Sequence, residues 1–284
     1  MNTATLLCSC TDRTGIVAAL THFVAEYGGN VIDLDQHTDS ETNQFFMRLV
    51  WDLRNSALSR DDLPDAMGIV AKKFHNMHWS ISFSTPLPRI AVFVSKTQHC
   101  LADLLLRHQM GELNGEMALV VGNHEDLADL AEHFGVPFVY IPVHREGKEK
   151  AELEQRALLS ENNIDLVVLA RYMQIVGPGF VEEWAGRIIN IHHSFLPAFV
   201  GAKPYRQART RGVKIIGATA HYVTAELDQG PIITQGVTGV SHRDEVDDLI
   251  RKGRDIERQV LAQAVRLHLE RRVIVSGNRT VVFS

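Results

Sequence analysis

The chain has 284 residues, of which 45% are hydrophobic and 22% are charged, and its formal net charge at pH 7 is −5. This composition is typical of a globular protein with a substantial core, divided into one large domain or two ordinary ones. The acidic balance argues against a nucleic-acid binder, and the lack of a long apolar run or a signal peptide predicts a cytoplasmic protein without a membrane partner.

Residues 1–83 predict a compact domain of strands and helices. In chain order its predicted elements are strand 4–10, helix 14–25, strands 31–37 and 44–52, helix 63–74 and strand 78–83. The first helix carries apolar residues at helical spacing, and Gly28 and Gly29 follow it as glycines that end a helix do. The order βαββαβ predicts a ferredoxin-like sandwich, and Pro86 and Pro88 indicate a short, stiff linker over residues 84–89.

Residues 90–284 predict a second domain in which short apolar strands alternate with helices. Its first predicted strands are 90–94, 117–121, 138–141, 166–169 and 188–190, and the helices between them are 100–107, 127–134, 148–161 and 180–184. That alternation is typical of a doubly wound, mostly parallel α/β sheet. The remaining predicted elements are strands 215–223 and 231–237, a helix over 244–271 and a closing hairpin around Gly277 and Asn278.

Polar side chains crowd the predicted end of the strand at 188–190, in the stretch Asn190-Ile191-His192. Open α/β sheets bind ligands outside the carboxyl ends of their strands. The Asn190 amide can donate a hydrogen bond to an oxyanion, and the His192 imidazole can move a proton near neutral pH. Asparagine and histidine also cap or turn chains after strands, so these residues alone leave catalysis and a structural turn equally open.

A second polar stretch contains Asp228, in a Gly-Pro turn between two predicted strands. An aspartate in a turn often binds its own backbone. The functional interpretation is a carboxylate that holds His192 in one tautomer and raises its proton affinity, which requires the chain to return to the same end of the sheet.

Together the two stretches resemble the folate-dependent formyltransferase family, and its deformylase branch in particular. The resemblance rests on Asn190-Ile191-His192, Ser194-Phe195-Leu196-Pro197 and Asp228-Gln229-Gly230-Pro231, and it extends over nearly the whole chain. Further supporting stretches are 93–96, 99–101, 170–174, 201–205, 217–223 and 253–255. The resemblance implies a Rossmann-like formyltransferase domain over residues 90–284, in which Asn190, His192 and Asp228 form the catalytic trio.

The activity that the resemblance implies is hydrolysis of 10-formyltetrahydrofolate to tetrahydrofolate and formate, which supplies formate for purine synthesis and balances one-carbon folate pools. Asn190 and protonated His192 would polarise the formyl oxygen, and Asp228 would hold His192 charged and oriented. His193 is expected to place the attacking water, or only to pack where the family commonly has proline. No cofactor is expected, since the folate is the substrate. The expected substrate contacts are Arg171, Tyr172, Met173, Gln174, Ser194 and Gly230.

The expected formyl acceptor follows from the lack of a glycine-rich phosphate-binding loop. A phosphorylated acceptor usually needs a glycine-rich loop after the first strand of such a domain, and residues 95–99 contain no glycine. Water is therefore the expected acceptor. Two alternatives stay open: formyl transfer to an unidentified amine, and a non-catalytic regulator that binds folate or an amino acid. Thr234 and Gly236 depart from the acidic residues expected beside Gln235 in deformylases, which predicts a change in surface or interface contacts.

The N-terminal domain resembles an ACT domain, in Asp12-Arg13-Thr14-Gly15-Ile16-Val17 and Gly28-Gly29-Asn30-Val31. The resemblance implies a regulatory and oligomerisation domain, with a possible amino-acid effector near Asp12, Gly15, Gly28 and Asn30. The glycines are equally compatible with turns and caps alone. We expect a homo-oligomer, a dimer or tetramer, because a lone ferredoxin-like sheet leaves a face or an edge to cover.

No metal site is expected. Cys8, Cys10 and Cys100 lack the spacing of metal ligands and are expected to be packing residues. A zinc site built from His192, His193 and His221 is the weaker alternative. A basic run is expected to be a solvated face or to attract the glutamate tail of a folate; its residues are Lys203, Arg206, Arg209, Arg211 and Lys214.

Overall fold

The computed structural model describes residues 2–144, 146–197 and 204–283, without the side chain of Pro204, and divides into two compact units. The first unit holds residues 2–87, 271–276 and 281–283. The second holds the described residues of 88–270 together with 277–280. Among the described residues, no helix combines the length and the apolar character that crossing a membrane requires.

The first unit is a four-stranded antiparallel sheet with two helices. Its elements are β1 (Thr3–Thr11), α1 (Ile16–Glu26), β2 (Asn30–Asp39), β3 (Gln44–Asp52), α2 (Leu63–Ala71) and β4 (His78–Phe83). The strand order is β2-β3-β1-β4, which confirms the predicted ferredoxin-like βαββαβ fold. Alternate residues of β1 are buried because successive side chains of a strand point to opposite faces.

Both helices of this unit are shorter than predicted. α1 begins at Ile16 instead of residue 14, because Gly15 has a φ of 93°, a left-handed conformation that a right-handed helix does not contain. α2 ends at Ala71 instead of residue 74, because the next turn tightens: the N–H groups of Lys73 and Phe74 donate to the carbonyls of Val70 and Ala71.

The second unit contains a seven-stranded, mostly parallel sheet. Its first elements are β5 (Arg89–Val94), α3 (His99–Gln109), β6 (Glu116–Gly122), α4 (Ala128–His133), β7 (Phe138–Tyr140), α5 (Lys148–Glu161), β8 (Leu166–Ala170) and α6 (Pro178–Glu183). Its later elements are β9 (Ile188–His192), α7 (Pro204–Arg211), β10 (Ile215–Tyr222), β11 (Ile232–Gly239) and α8 (Val246–Leu269). The hairpin strands β12 (Val273–Ser276) and β13 (Arg279–Val282) close the chain around Gly277, as predicted.

The strand order β11-β10-β9-β8-β5-β6-β7 determines where a ligand can enter. The chain leaves β5 for β6 and β7 on one side and returns to β8 and β9 on the other, and these five strands are parallel. The strand order therefore reverses between β5 and β8, where open α/β sheets form a crevice at the carboxyl ends of the strands. The buried residues of β5 and β8 are all apolar, and they pack into the core beneath that crevice.

Among the differences from the sequence expectation in this unit, two concern β9 and α7. β9 extends to His192, two residues beyond the predicted end, because antiparallel pairing with β10 matches Asn190 with His221 and His192 with Thr219. The helix α7 was not predicted, and its basic residues were interpreted as a charged surface. Within α7 Ala208 is buried and the arginines are mostly exposed, so the segment lacks the apolar periodicity that indicates a helix.

Candidate functional site

The site is built on the ends of β9 and β10. Asn190 and His192 are two residues apart on β9, so both side chains point to the same face of the sheet. Asp228 lies in the connection from β10 to β11 with a φ of 57°, a conformation that aspartate adopts more readily than most residues. In the same connection Gly230 cannot be replaced, because a Cβ there would lie 1.8 Å from the carbonyl oxygen of Tyr222.

The three predicted catalytic side chains lie together. His192 Nδ1 is 3.2 Å from Asp228 Oδ1, and His221 Nε2 is 3.8 Å from the same oxygen. The hydrogen bond to His192 is the largest influence on Asp228 and holds the pKa of that carboxyl below its usual range. His192 is buried, and its Nε2 has no hydrogen-bond partner among the residues that the structure describes.

His221 orients the Asn190 amide, a role that sequence reasoning did not assign. His221 Nδ1 lies 2.9 Å from the carbonyl oxygen of Tyr222 and donates to it, since a carbonyl can only accept. In the neutral ring Nε2 then accepts from Asn190 Nδ2 at 3.3 Å. Burial lowers the pKa of His221, which favours the neutral ring. One N–H of the Asn190 amide is thereby engaged, and the other is available to a ligand.

A cavity of about 490 Å³ opens at this end of the sheet. It is lined by Asn190, His192, Asp228 and His221, and by 171–176 after β8 and 223–227 after β10. Of the six predicted substrate contacts, Arg171, Tyr172, Met173 and Gln174 line the cavity. The other two lie outside its lining: the Ser194 carbonyl accepts a hydrogen bond from Thr219, and Gly230 shapes the turn.

In the segment after β8 one backbone donor is already bonded within the protein. Met173 N–H donates to Ser95 Oγ at 3.0 Å, so it is not available to a ligand. Ser95 in turn donates to Asn123 Oδ1 at 2.7 Å, which ties together the ends of β5, β6 and β8. Tyr172 packs its ring on Phe93 and accepts a hydrogen bond from Gln155, and burial raises the pKa of Tyr172 to about 12. The exposed side chain of Met173 remains for a ligand.

Thr219 holds the chain that follows β9. Its Oγ1 donates to the carbonyl of Ser194 at 2.9 Å and accepts from Leu196 N–H at 3.0 Å. Gln235 Nε2 donates to both Thr219 Oγ1 and the Leu196 carbonyl, each at 3.0 Å. These bonds fix the segment immediately after His192 and His193. Sequence reasoning missed them because they join β10 and β11 to the segment that follows β9.

Thr234 and Gly236, on either side of Gln235, face α8 and are not among the residues that line the cavity. Thr234 Oγ1 lies 3.4 Å from Gln263 Oε1. A Cβ on Gly236 would lie 2.7 Å from Val260 Cγ2 and 2.9 Å from Ile256 Cγ2. Gly236 therefore allows β11 and α8 to pack closely.

His193 lies beside His192, with ring centroids 5.2 Å apart, and 6.2 Å from the ring of Tyr205. Burial is the largest influence on it, and the cation of Arg171 acts in the same direction. Together they lower the pKa of His193 to about 4. Its imidazole is therefore neutral near pH 7 and can accept a hydrogen bond at one ring nitrogen.

One group of possible metal ligands occurs in the described part of the chain, formed by His99, Cys100 and Glu257 within 4.8 Å of one another. Glu257 already accepts hydrogen bonds from His99 and Tyr205, and Arg171 Nε lies 3.5 Å from it. Burial raises the pKa of the Cys100 thiol well above its usual range. A divalent cation would compete with a guanidinium here, so the donor set fits an internal ion pair better than a metal.

The four predicted effector positions form two groups in the chain. Asp12 and Gly15 precede α1, whereas Gly28 and Asn30 follow it. Because α1 has 11 residues, its length separates the two groups by roughly 16 Å. A Cβ on Gly28 would lie 2.5 Å from the Asn55 carbonyl oxygen, so this glycine has a packing role whether or not an effector binds.

Comparison with known proteins assigns both parts of the chain. A family model for formyl transferase matches residues 88–265, and one for the ACT domain matches residues 4–55. The formyltetrahydrofolate deformylase of Synechocystis sp. is 55% identical over 99% of this chain and 99% of its own length. The formyltetrahydrofolate deformylase of Bacillus subtilis is 48% identical over 98% of this chain and 93% of its own.

Solved structures agree with these matches. The crystal structure of a formyltetrahydrofolate deformylase from Pseudomonas syringae pv. tomato has a TM-score of 0.97 and 46% identity, covering 100% of this chain and 95% of that one. Glycinamide ribonucleotide transformylase 1 from Symbiobacterium toebii has a TM-score of 0.66 and 32% identity, covering 71% of this chain and 97% of that one. With its ACT and formyl transferase domains, this chain belongs to the formyltetrahydrofolate deformylase family.

Proposed function

We propose that this protein hydrolyses 10-formyltetrahydrofolate to tetrahydrofolate and formate, with water as the formyl acceptor and Asn190, His192 and Asp228 as the catalytic trio. The observation that supports this best is the state of His192. Its Nδ1 faces Asp228, while its buried Nε2 has no partner among the described residues and its side chain lines a cavity. An unpaired buried polar atom is costly, so a substrate oxygen that bonds Nε2 is bound favourably.

In the proposed reaction the formyl oxygen accepts hydrogen bonds from the Nε2–H of protonated His192 and from the free N–H of Asn190. Water attacks the formyl carbon, and the carbonyl electron pair moves onto that oxygen as the new C–O bond forms. Donors held in place before the charge develops stabilise it without reorganising. Removing one such donor typically costs roughly 10²–10³ in rate.

The tetrahedral intermediate then breaks its bond from carbon to N10. One proton of the attacking water ends on N10, and the pair of His192 and Asp228 is placed to move it, with Asp228 also fixing the imidazole in one orientation. The neutral ring of His193 accepts a hydrogen bond from the attacking water and so directs its oxygen at the formyl carbon. The other proton of that water is released when the formic acid formed ionises, so the products are formate, tetrahydrofolate and one proton.

The remaining assignments complete the proposal. The exposed apolar side chains of Met173 and Ile175 suit the flat pterin of the folate. An amino-acid effector binds the ACT domain beside Gly15 or Gly28, and the protein acts as a homo-oligomer in the cytoplasm. The described cysteines are buried free thiols, as is usual in a reducing compartment.

The test is formate release from 10-formyltetrahydrofolate without an added acceptor, in water enriched in ¹⁸O. The wild type is expected to release formate that carries one solvent oxygen. Asp228→Asn keeps the shape of the side chain but loses its charge, and its kcat is expected to fall roughly 10²- to 10⁴-fold. Asp61→Asn is the matched control, since Asp61 is exposed in the first unit, and it should retain wild-type kcat.

Two results would count against the proposal. A wild type that consumes 10-formyltetrahydrofolate only when an amine is added, and forms the formylated amine in place of formate, would make the protein a formyltransferase. An Asp228→Asn variant with wild-type kcat would remove the carboxylate from the mechanism.

A further inference from the structure

The mechanism above does not use the most deeply buried acid of the second unit. Glu257, on α8, is 1% exposed. Its Oε1 accepts from the Tyr205 hydroxyl at 2.7 Å, and its Oε2 lies 2.8 Å from His99 Nε2 and 3.5 Å from Arg171 Nε. Burying an unpaired carboxylate is strongly unfavourable, so these three partners are what make its position tolerable.

Gly253 makes room for one of these partners. It lies one turn before Glu257 in the interior of α8, where glycine is normally unfavourable. A Cβ at this position would lie 2.0 Å from the Tyr205 hydroxyl oxygen. The missing side chain therefore lets the phenol lie across the helix and reach the carboxylate. Burial raises the pKa of Tyr205 well above its usual range, so the phenol stays protonated and donates to Glu257.

The partners of Glu257 lie close to the residues of the proposed catalytic site. The ring of Tyr205 lies 6.2 Å from that of His193, which in turn lies 5.2 Å from that of His192. Arg171 lines the substrate cavity and follows β8 with a φ of 61°, an unfavourable conformation for arginine that its surroundings must hold. One carboxylate thus binds groups from α3, α7 and the end of β8.

We propose that Glu257 is a positioning residue, which through Tyr205 and Arg171 fixes the ring of His193 that directs the attacking water. This role rests on the proposed hydrolysis. Gly253 contributes to the same arrangement, because it allows Tyr205 to reach Glu257. The stretch 253–255 is part of the family resemblance described above. The close approach of Tyr205 to Gly253 is a physical reason for glycine at that position.

The charged groups around His193 are consistent with this role of Glu257. The groups that act on His193 are Arg171 and His192, which lower its pKa, and Glu257 and Asp228, which raise it. Glu257→Gln removes one of the two opposing carboxylates, so the pKa of His193 is expected to fall further. The ring would stay neutral at pH 7, and the loss of rate would then come from its position and not from its charge.

The test compares Glu257→Gln and Tyr205→Phe with the wild type in formate release, with and without hydroxylamine as a second, stronger nucleophile. Both variants are expected to lose kcat for hydrolysis by roughly ten- to a hundredfold, with KM for the folate within about twofold of the wild-type value. Hydroxylamine does not depend on a directed water, so the ratio of formylhydroxamate to formate is expected to rise. Tyr205→Phe also covers the case in which Glu257→Gln does not fold.

Tyr140→Phe is the control, because it removes an exposed phenol hydroxyl on β7, the strand at the opposite edge of the sheet from β11. It should keep the wild-type product ratio. Unchanged kcat in both variants would overturn the role of Glu257, and so would equal losses of formate and formylhydroxamate, which indicate general damage. A wild type that releases no formate would overturn the proposed function and this role with it.

Discussion

At the scale of single residues, the groups proposed to react depend on neighbours that have no proposed part in the chemistry. The Asn190 amide is oriented by His221, and His221 is itself held in one tautomer by the Tyr222 carbonyl. Asp228 reaches His192 because its own backbone takes a left-handed conformation. Orientation of this kind matters because small displacements of a reacting group reduce the rate strongly.

His221→Phe tests the orientation of Asn190. Phenylalanine fills the space but has no acceptor for Asn190 Nδ2 and no donor for the Tyr222 carbonyl. We expect kcat to fall roughly ten- to a hundredfold, and the free energy of unfolding to fall by about 1–3 kcal/mol because the hydrogen bond from His221 to a buried carbonyl is lost. Steady-state kinetics and urea denaturation measure the two effects. A variant with wild-type kcat would show that the amide does not need His221.

The free energy of unfolding should depend on pH, because the pKa of His193 differs between the folded and unfolded states. Its pKa is lowered to about 4 in the folded protein, whereas an unfolded chain has the ordinary value near 6.5. Between these values the unfolded state binds more protons, so the free energy of unfolding decreases as the pH falls from 6.5 to 4. The loss is at most about 3 kcal/mol, and the lowered pKa of His221 adds a loss of the same sign.

Urea denaturation between pH 4 and 7 measures this dependence. His193→Asn, which does not titrate in this range, is expected to show a shallower slope than the wild type. Equal slopes would mean that His193 is protonated to the same extent in the folded and unfolded states.

At the scale of elements, close approach between neighbours determines where the site groups lie. β11 lies against α8 at Gly236, and α7 lies against α8 at Gly253. Glycine has no side chain, so at each of these positions the two elements can pack more closely than any other residue would allow. The pairing of β9 with β10 carries Asn190 and His192 into a strand and brings His221 opposite Asn190.

Two glycine-to-alanine changes separate this packing effect from helix propensity. In α2 a Cβ on Gly68 would meet its nearest atom, in Trp79, at 3.9 Å, so Gly68→Ala should stabilise the protein by about 0.5–1 kcal/mol. Gly253→Ala gains the same propensity but collides with Tyr205, and we expect a lower Tm and a lower kcat. Differential scanning calorimetry compares the two, and a Gly253→Ala variant as stable as Gly68→Ala would contradict the proposed contact.

At the scale of the whole molecule, β2 forms an edge of the sheet of the first unit and exposes apolar side chains. Val31, Ile32 and Leu34 are 37%, 49% and 36% exposed. Exposed apolar edge strands tend to pair with another chain unless they are covered. This surface is the physical basis for expecting an oligomer.

Sedimentation at micromolar concentration tests that expectation. The wild type should sediment as a dimer or tetramer, and Ile32→Glu should shift it towards monomer by burying a charge at the edge. Ile69→Glu is the control, since Ile69 is 65% exposed on α2 and away from β2. A monomeric wild type, or equal effects of the two variants, would count against pairing at this edge.

Much of the fold could be predicted because its signals are local. The alternation of β1 and the order of strands and helices identified both sheets, and the glycine after α1 indicated where that helix ends. α7 escaped prediction because its residues are mostly exposed, so no periodic apolar pattern marks it. The end of β9 was misplaced because the bonds that extend it come from β10, which is distant in sequence.

The sequence by itself determined the two-domain order, the family and the residues proposed to react, since motif and periodicity are properties of neighbouring residues. Tertiary structure alone decided which groups support them: His221 on Asn190, Thr219 and Gln235 on the segment after β9, and Glu257 on Tyr205. Each of these contacts joins residues far apart in the chain, and it exists only because folding brings separate strands and helices within hydrogen-bond distance.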